Sequence, residues 1–102
     1  MKNLESYKTG NYKIALQEAF VEIDFMLVSS EGHQLMKKIY KENQNSGMDI
    51  IKGIAFTEGC TACVVLITKN KIYCANAGDS RALIGTKNCG VIELSHDHKP
   101  TE

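Results

Sequence analysis

Apolar residues in the first part of the chain recur at the spacing of a helix. Four of them are separated by steps of four, three and four positions, which places them along one side of an α-helix. Acidic and amide side chains such as Gln17, Glu18 and Glu22 fall largely off that stripe, as on the wet side of a surface helix. The pattern predicts an amphipathic helix over about residues 11–28, with the apolar positions Leu16, Phe20, Ile23 and Leu27.

A second helix is predicted directly after the first. Ser29 and Ser30, followed by Glu31, are residue types that end one helix and cap the start of another. The next stretch again has a one-sided apolar pattern, and residues 43–47 have the composition of a turn. Helices are therefore predicted over about residues 11–45, and the apolar face of the second contains Leu35, Met36, Ile39 and Tyr40.

The hydrophobic pattern changes to that of strands from about residue 58 onward. A nearly continuous apolar and β-branched run over residues 60–68 is typical of a strand covered on both faces. Polar residues 69–71 are a break of hairpin length. Three further strand segments are predicted, over residues 72–77, 82–84 and 91–94. Two helices followed by an antiparallel β-meander over about residues 58–95 indicate an α+β fold.

Asp79 and Arg81 interrupt the apolar strand pattern. Burying an unpaired charge costs several kcal/mol, roughly, so a core strand does not tolerate one. Gly78 and Ser80 beside them favour a bend or bulge. We therefore expect both charges to lie at a strand end, where binding and catalytic residues are often placed.

Composition and charge exclude only a few classes of function. The chain has 102 residues, enough for at most one domain, with 43% hydrophobic and 24% charged residues. Twelve basic and twelve acidic residues give a net charge of zero, so neither a nucleic-acid partner nor an anionic membrane surface is expected. No apolar run approaches the length of a membrane span, and residues 1–10 do not form a signal peptide. These features predict an intracellular, cytoplasmic protein.

The cysteines allow a different interpretation. Cys60 and Cys63 have the C-x-x-C spacing of many zinc and redox sites, and His96 and His98 resemble a ligand pair. Residues three apart on a strand point to opposite faces, however, so the two cysteines converge only if the chain turns between them. Free, buried thiols are the favoured interpretation, and a small metal or redox protein is the alternative.

Four sequence motifs resemble those of a known enzyme family. They are G-C-T-A-C-V-V-L-I at residues 59–67, A-N-A-G-D-S-R-A at 75–82 and L-S-H-D-H-K-P at 94–100, preceded by A-L-Q-E-A-F-V-E-I-D at 15–24. In this order and spacing they resemble the metal-dependent protein serine/threonine phosphatases of the protein phosphatase 2C family. Residues 30–55 have no counterpart in that pattern and resemble an insertion.

The resemblance implies a fold and a chemistry. Members of the family are α-β-β-α sandwiches in which a dinuclear Mg or Mn centre activates a water for attack on a phosphoserine or phosphothreonine of a protein substrate. By resemblance, Asp79 helps to bind a further, weaker metal ion. Ser80 and Arg81 would support that site or the fold, and Asp97 and His98 belong to a motif that shapes the fold.

The principal metal ligands of the family are not among these motifs. They belong to an E-D segment and a D-G-H-G-G motif upstream, and to D-G and D-N motifs downstream, none of which occurs in this sequence. Residues 1–102 are therefore predicted to be a partial protein phosphatase 2C-like domain that is inactive alone and binds no metal tightly. A phosphatase-like module that binds proteins without catalysis is the alternative.

A partial domain is expected to leave strand edges and apolar faces uncovered. Such surfaces pair readily with another chain. The apolar strand at residues 62–67 therefore predicts a homodimer or a swapped assembly.

Overall fold

A computed structural model describes residues 1–42 and 59–100 of the protein. Three helices are followed by four antiparallel strands, which confirms the predicted α+β class. The predicted helical range of 11–45 and strand range of 58–95 extend at residues 43–45 and 58 outside the described residues. The elements are α1 (Glu5–Lys8), α2 (Tyr12–Val28), α3 (Ser30–Glu42), β1 (Ala62–Ile67), β2 (Ile72–Ala77), β3 (Leu83–Gly85) and β4 (Val91–Glu93).

Two compact units share the chain. The first comprises Met1–Ala19 with Cys60–Glu102, and the second comprises Phe20–Gly59. The first unit contains α1, the start of α2 and all four strands. None of the helices in the described part of the chain is both long and apolar enough to cross a membrane.

The junction between α2 and α3 is built on Ser29. Its hydroxyl donates to the carbonyl oxygen of Met26 over 2.7 Å and accepts from the backbone N–H of Gly32 over 3.0 Å. The same side chain thus ends one helix and caps the next, as the Ser-Ser-Glu pattern predicts. A Cβ at Gly32 would lie 1.8 Å from the Met26 carbonyl oxygen, so only glycine fits there. The helix-start backbone N–H of Glu31 lowers the pKa of its carboxyl, and the Ser30 hydroxyl adds to the effect.

The apolar stripe of α2 is covered over only part of its length. Leu16 is buried, together with Ala15, whereas Ile23 on the same predicted stripe is 59% exposed. Phe25, on another side of the helix, is 69% exposed. The second half of α2 is therefore apolar on more than one side. Such a pattern is typical of a helix that is packed against other elements on several sides.

Strands β1 and β2 form a hairpin whose register runs from Ala62 opposite Ala77 to Ile67 opposite Ile72. The predicted break at residues 69–71 is its turn, closed by the backbone N–H of Thr68 donating to the Lys71 carbonyl over 2.9 Å. On one face the ring of Tyr73 meets that of Tyr12 edge to face, with centroids 5.8 Å apart. The opposite face carries Val65, Ile67 and Ile72, all exposed, so β1 is not covered on both faces within this chain.

Strands β3 and β4 form a second hairpin rather than extending the first sheet. Leu83 lies opposite Glu93 and Gly85 opposite Val91, and in the described part of the chain each sheet has two strands. The hairpin is continued beyond Leu83 by the Leu94 N–H, which donates to the Ala82 carbonyl over 2.9 Å. Residues 78–82, between β2 and β3, are therefore a bend that separates two hairpins, and this bend contains the predicted site.

Candidate functional site at the Gly78 bend

Gly78 makes the bend after β2 possible. Its φ of +116° is a conformation that L side chains rarely adopt. A Cβ there would lie 2.4 Å from the Thr61 methyl carbon, so the neighbouring chain leaves no room for one. Beyond the bend, the hydroxyls of Thr61 and Ser80 share a hydrogen bond of 2.7 Å. The start of β1 is thereby tied to the segment that carries Asp79.

His98 binds Gly78 in both directions. The backbone N–H of His98 donates to the Gly78 carbonyl over 2.9 Å, and the Gly78 N–H donates to His98 Nδ1 over 3.3 Å. The two motifs that surround Gly78 and His98 are thus held together by backbone as well as side-chain groups.

Asn76 connects the same two segments through its side-chain amide. Its side-chain Nδ2 donates to the Gly78 carbonyl over 3.0 Å and to the His96 carbonyl over 2.8 Å. These two bonds fix the orientation of the amide, because a flipped amide would set Oδ1 against two carbonyl oxygens. Oδ1 itself is buried and accepts no hydrogen bond within residues 1–42 and 59–100.

Arg81 and Asp97 form a bidentate ion pair across the bend. Arg81 Nε donates to one carboxylate oxygen over 3.0 Å, and Nη2 donates to the other over 2.7 Å. Lys99 Nζ lies 3.8 Å from the same carboxylate. The hydrogen bonds from Arg81 lower the pKa of Asp97, and the charges of Arg81, Lys99 and His96 lower it further. The same pair raises the pKa of the Arg81 guanidinium.

Asp79 is exposed at the bend. It lies between Gly78, held by His98, and Ser80, held by Thr61. Its carboxylate makes no hydrogen bond or ion pair with any side chain that the structure describes. The bend therefore presents one exposed carboxylate on a backbone that is held on both sides.

Comparisons with known proteins test the resemblance of these motifs. The family model for protein phosphatase 2C matches residues 1–102. The chain is 39% identical over 100 residues to "Probable protein phosphatase 2C 2" of Paramecium tetraurelia, covering 98% of this chain and 30% of that protein. It is 35% identical over 124 residues to "Probable protein phosphatase 2C 21" of Arabidopsis thaliana, covering 94% of this chain and 34% of that protein.

This chain is a member of the protein phosphatase 2C family. It spans about a third of the length of the curated relatives named above. A further relative, "Protein phosphatase 2C homolog 2" of Hypocrea jecorina, is 38% identical over 96 residues, which are 94% of this chain and 17% of that protein. No solved structure matches the chain significantly.

A dinuclear metal centre of the kind used by protein phosphatase 2C enzymes does not fit the residues that are described. Two divalent ions need several converging oxygen ligands. Among residues 1–42 and 59–100, no three His, Cys, Asp or Glu side chains lie together as a metal site. This also means that Cys60, Cys63, His96 and His98 do not assemble into the metal site of the alternative interpretation.

The cysteines are free thiols, as predicted, but the predicted burial is wrong for Cys60 and Cys89, which are exposed. Cys60 precedes β1 and is exposed, whereas Cys63 lies on β1 and is half-buried. The strand register places Cys63 and Cys74 on one face, at diagonal positions. Burial raises the pKa of the Cys74 thiol, and its hydrogen bond with the Cys63 thiol raises it further.

Three further residues take part in the arrangement. Besides Asn76 and Thr61, Ser95 accepts a hydrogen bond from the Ala82 N–H over 2.9 Å through its hydroxyl. All three lie inside the motifs by which the sequence resembles the family. A sequence motif gives the residue types, however, and does not say which residues they contact. Their contacts link residues 13 to 20 positions apart, so local pattern does not predict them.

Proposed function

We propose that this chain forms part of the catalytic domain of a protein phosphatase that hydrolyses phosphoserine and phosphothreonine in cytoplasmic proteins. The family match over residues 1–102 carries the proposal. Relatives that cover nearly all of this chain are named protein phosphatases, at 35% to 39% identity. The near-neutral charge balance fits a protein substrate better than a nucleic acid or a membrane surface.

Magnesium or manganese is the proposed cofactor of the complete domain. When bound, such ions lower the pKa of a water and neutralise phosphoryl oxygens. Asp79 is proposed to supply one oxygen ligand to a weakly held additional ion. Its carboxylate suits a hard cation, and its exposure at a fixed bend leaves that carboxylate accessible.

The chain alone is proposed to be catalytically inactive and to bind no metal tightly. One carboxylate at the bend cannot hold two ions, and the described residues provide no cluster of three ligands. The remaining ligands would have to come from other parts of a complete domain. The curated relatives named above have about two thirds or more of their length outside the region that this chain matches.

Ser80, Arg81, Asp97 and His98 are proposed to act through Asp79 rather than on substrate. Arg81 is already occupied by Asp97 through two hydrogen bonds, so this guanidinium is not free to bind a phosphate through the same edge. Ser80 and His98 hold the residues on either side of Asp79. Each therefore supports the backbone from which the Asp79 carboxylate extends.

A chimera tests the proposed function. Residues 1–102 would replace the matching segment of a catalytically active family member, and phosphate release from a phosphothreonine peptide would be measured with Mn²⁺. We expect activity in the chimera and none in the 102-residue chain alone. In the chimera, Asp79→Ala should lower activity most at low Mn²⁺ concentration, and Asp24→Ala on the exposed side of α2 is the matched control.

Other outcomes contradict specific parts of this proposal. A chimera that folds but releases no phosphate would favour the alternative, a phosphatase-like module that binds proteins without catalysis. Activity in the isolated chain would refute the requirement for ligands from elsewhere. An Asp79→Ala chimera with an unchanged Mn²⁺ dependence would refute the metal role of Asp79.

The isolated chain is also proposed to self-associate as a homodimer or swapped assembly. The exposed apolar residues of the β1–β2 sheet support this, since Ile67 is 73% exposed beside Val65 and Ile72. Light scattering at tens of micromolar should give at least the dimer mass, reduced to the monomer mass by Ile67→Lys. A monodisperse wild-type monomer would contradict self-association.

A further inference from the structure

We propose that Asn76 is a positioning residue for Asp79: it locks the Gly78 bend onto the segment His96–His98 and so sets where the Asp79 carboxylate lies. This inference rests on the proposed function, because a position for Asp79 matters only if Asp79 binds an ion. The inference about Asn76 nevertheless has a structural readout of its own. No charge or reactive group on Asn76 is involved.

The side-chain amide of Asn76 donates two hydrogen bonds. One Nδ2 hydrogen is directed to the Gly78 carbonyl at 3.0 Å and the other to the His96 carbonyl at 2.8 Å. Gly78 is three residues before Arg81 and immediately before Asp79, and His96 is adjacent to Asp97. A single side chain thus connects both sequence segments that surround Asp79 and the Arg81–Asp97 pair.

The unpaired acceptor strengthens this interpretation. Asn76 Oδ1 is buried and has no hydrogen-bond partner among the described residues, and leaving a buried polar atom unpaired is destabilising. An apolar side chain would avoid that cost but could not join the two carbonyls. The amide is therefore explained by its donors, and what those donors hold is the bend.

The other contacts of the bend do not replace this connection. Thr61 and Ser80 hold the far side of Asp79, and Arg81 holds Asp97. His98 also reaches Gly78, through its backbone N–H to the Gly78 carbonyl and through Nδ1 to the Gly78 N–H, but neither contact involves the His96 carbonyl that Asn76 binds. Among the described residues, Asn76 is the side chain that donates to both Gly78 and the 96–98 segment.

The experiment compares two isosteric substitutions in the 102-residue chain. Asn76→Asp keeps the size of the side chain but removes both donors and sets carboxylate oxygens against two carbonyls. Asn70→Asp makes the same change in charge at the exposed turn, at the other end of the same hairpin. Amide hydrogen exchange of Gly78 and His98 is measured by NMR, together with the unfolding free energy of each variant.

The expected result is a local loss of protection. Exchange of the Gly78 and His98 amides should accelerate by at least about tenfold in Asn76→Asp, with the β1–β2 amides near Thr68 unchanged. Asn70→Asp should leave the Gly78 and His98 amides protected. If Asn76→Asp does not fold, Asn76→Ser keeps one donor and should give an intermediate acceleration at the same two amides.

A second measurement tests where the Asp79 carboxylate lies, rather than how stable the Gly78 bend is. Mn²⁺ alone is titrated into each variant, and paramagnetic broadening of the Asp79 amide is compared at equal concentration. Broadening in the wild type that is lost in Asn76→Asp but kept in Asn70→Asp supports the positioning role. No broadening in the wild type would agree with the weak metal binding proposed for the chain alone, and the exchange data would then decide whether Asn76 orders the bend. Unchanged Gly78 and His98 exchange in both Asn76 variants would overturn the inference.

Discussion

Arg81 donates two hydrogen bonds to the carboxylate of Asp97, a residue 16 positions later in the sequence. The pair explains why a G-D-S-R motif and a D-H-K-P motif occur together in this chain: each supplies one partner of the same contact. Asp97 is largely buried beneath the pair, with its side chain 13% exposed, while Arg81 is about half exposed. The Asp97 carboxylate is therefore the member whose titration reports on the contact.

Removing Arg81 should raise the pKa of Asp97. Hydrogen bonds from Arg81 are the largest cause of the lowered pKa, so Arg81→Gln should return the pKa toward the ordinary aspartate value. Lys99→Gln is the matched control and should have a smaller effect, because Lys99 is 3.8 Å away and contributes by charge alone. NMR titration of the Asp97 side-chain carboxyl measures its pKa in both variants. Equal shifts in the two variants would contradict the dominance of the bidentate contact.

The same pair predicts how the bend responds to acid. A carboxyl whose folded pKa is lowered contributes stability above its unfolded pKa of about 3.9, and that contribution is lost as the pH falls through the folded value. Wild-type protein should therefore lose more stability below about pH 4 than Asp97→Asn, which has nothing to titrate there. Urea unfolding at pH 7 and at pH 3 compares the two. Identical pH dependences would rule out a contribution from Asp97.

Gly78→Ala should destabilise the first unit for two separable reasons. The +116° φ is strained for alanine, by roughly 1–3 kcal/mol, and the new Cβ would meet the Thr61 methyl carbon at 2.4 Å. Thr61→Ser removes that methyl group but keeps the hydroxyl that binds Ser80. The Thr61 Cβ would still lie 2.7 Å from the new Cβ, so the double variant should recover only part of the steric loss and none of the backbone part. Additive losses in urea unfolding would show that the contact with Thr61 is unimportant.

Much of this fold could be predicted from hydrophobic pattern, because helices and hairpins are local structures. The break at residues 69–71 and the boundary at Ser29 are examples. Helix α1 was not predicted: it is a single turn, and no apolar periodicity precedes residue 11 to indicate it. Its Ser6 hydroxyl binds Glu18 on α2, a contact between residues 12 positions apart. Asn76 was missed for the same reason, since its partners lie in a distant motif.

Burial was predicted less well than secondary structure. The run at residues 60–68 indicates a strand covered on both faces, yet Val64 and Val65, on opposite faces, are each about 40% exposed in this chain. Hydrophobic pattern reports what a strand contacts in the complete domain, and the curated relatives named above are about three or more times as long as the matched region. The described residues include no cluster of three candidate metal ligands, so the pattern near the bend predicts no metal centre there.

Thiol reactivity should separate the cysteines into two classes. Cys60 and Cys89 are exposed, whereas Cys74 is half-buried and its pKa is raised by burial and by the Cys63 thiol. A higher pKa leaves less thiolate, the form that reacts with iodoacetamide. Mass spectrometry at pH 8 should find Cys60 and Cys89 alkylated before Cys74, and all four equally fast in urea. Early alkylation of Cys74 would contradict its packing against Cys63.

Replacing Cys89 with glycine should stabilise the protein. Cys89 has a φ of +59°, in the left-handed region, and in the described part of the chain it is the one non-glycine residue with a positive φ. Its N–H donates to the Thr86 carbonyl over 3.2 Å, and the Thr86 N–H donates to the Gly90 carbonyl over 2.9 Å, so the β3–β4 turn fixes that conformation. A left-handed L residue costs about 1–2 kcal/mol, and the extra backbone entropy of glycine in the unfolded chain offsets roughly half of the gain.

We expect Cys89→Gly to raise the free energy of unfolding by about 0.5–1 kcal/mol in urea. Asn88→Gly, one position earlier, is the matched control, because Asn88 has no positive φ to relieve. It should lower the free energy of unfolding through the unfolded-state entropy alone. The changes in the free energy of unfolding should therefore have opposite signs in the two variants. This comparison tests the effect of the left-handed φ, since both variants add one glycine to the same exposed turn. A loss of stability in Cys89→Gly would mean that the thiol makes a contact worth more than the strain that the residue bears.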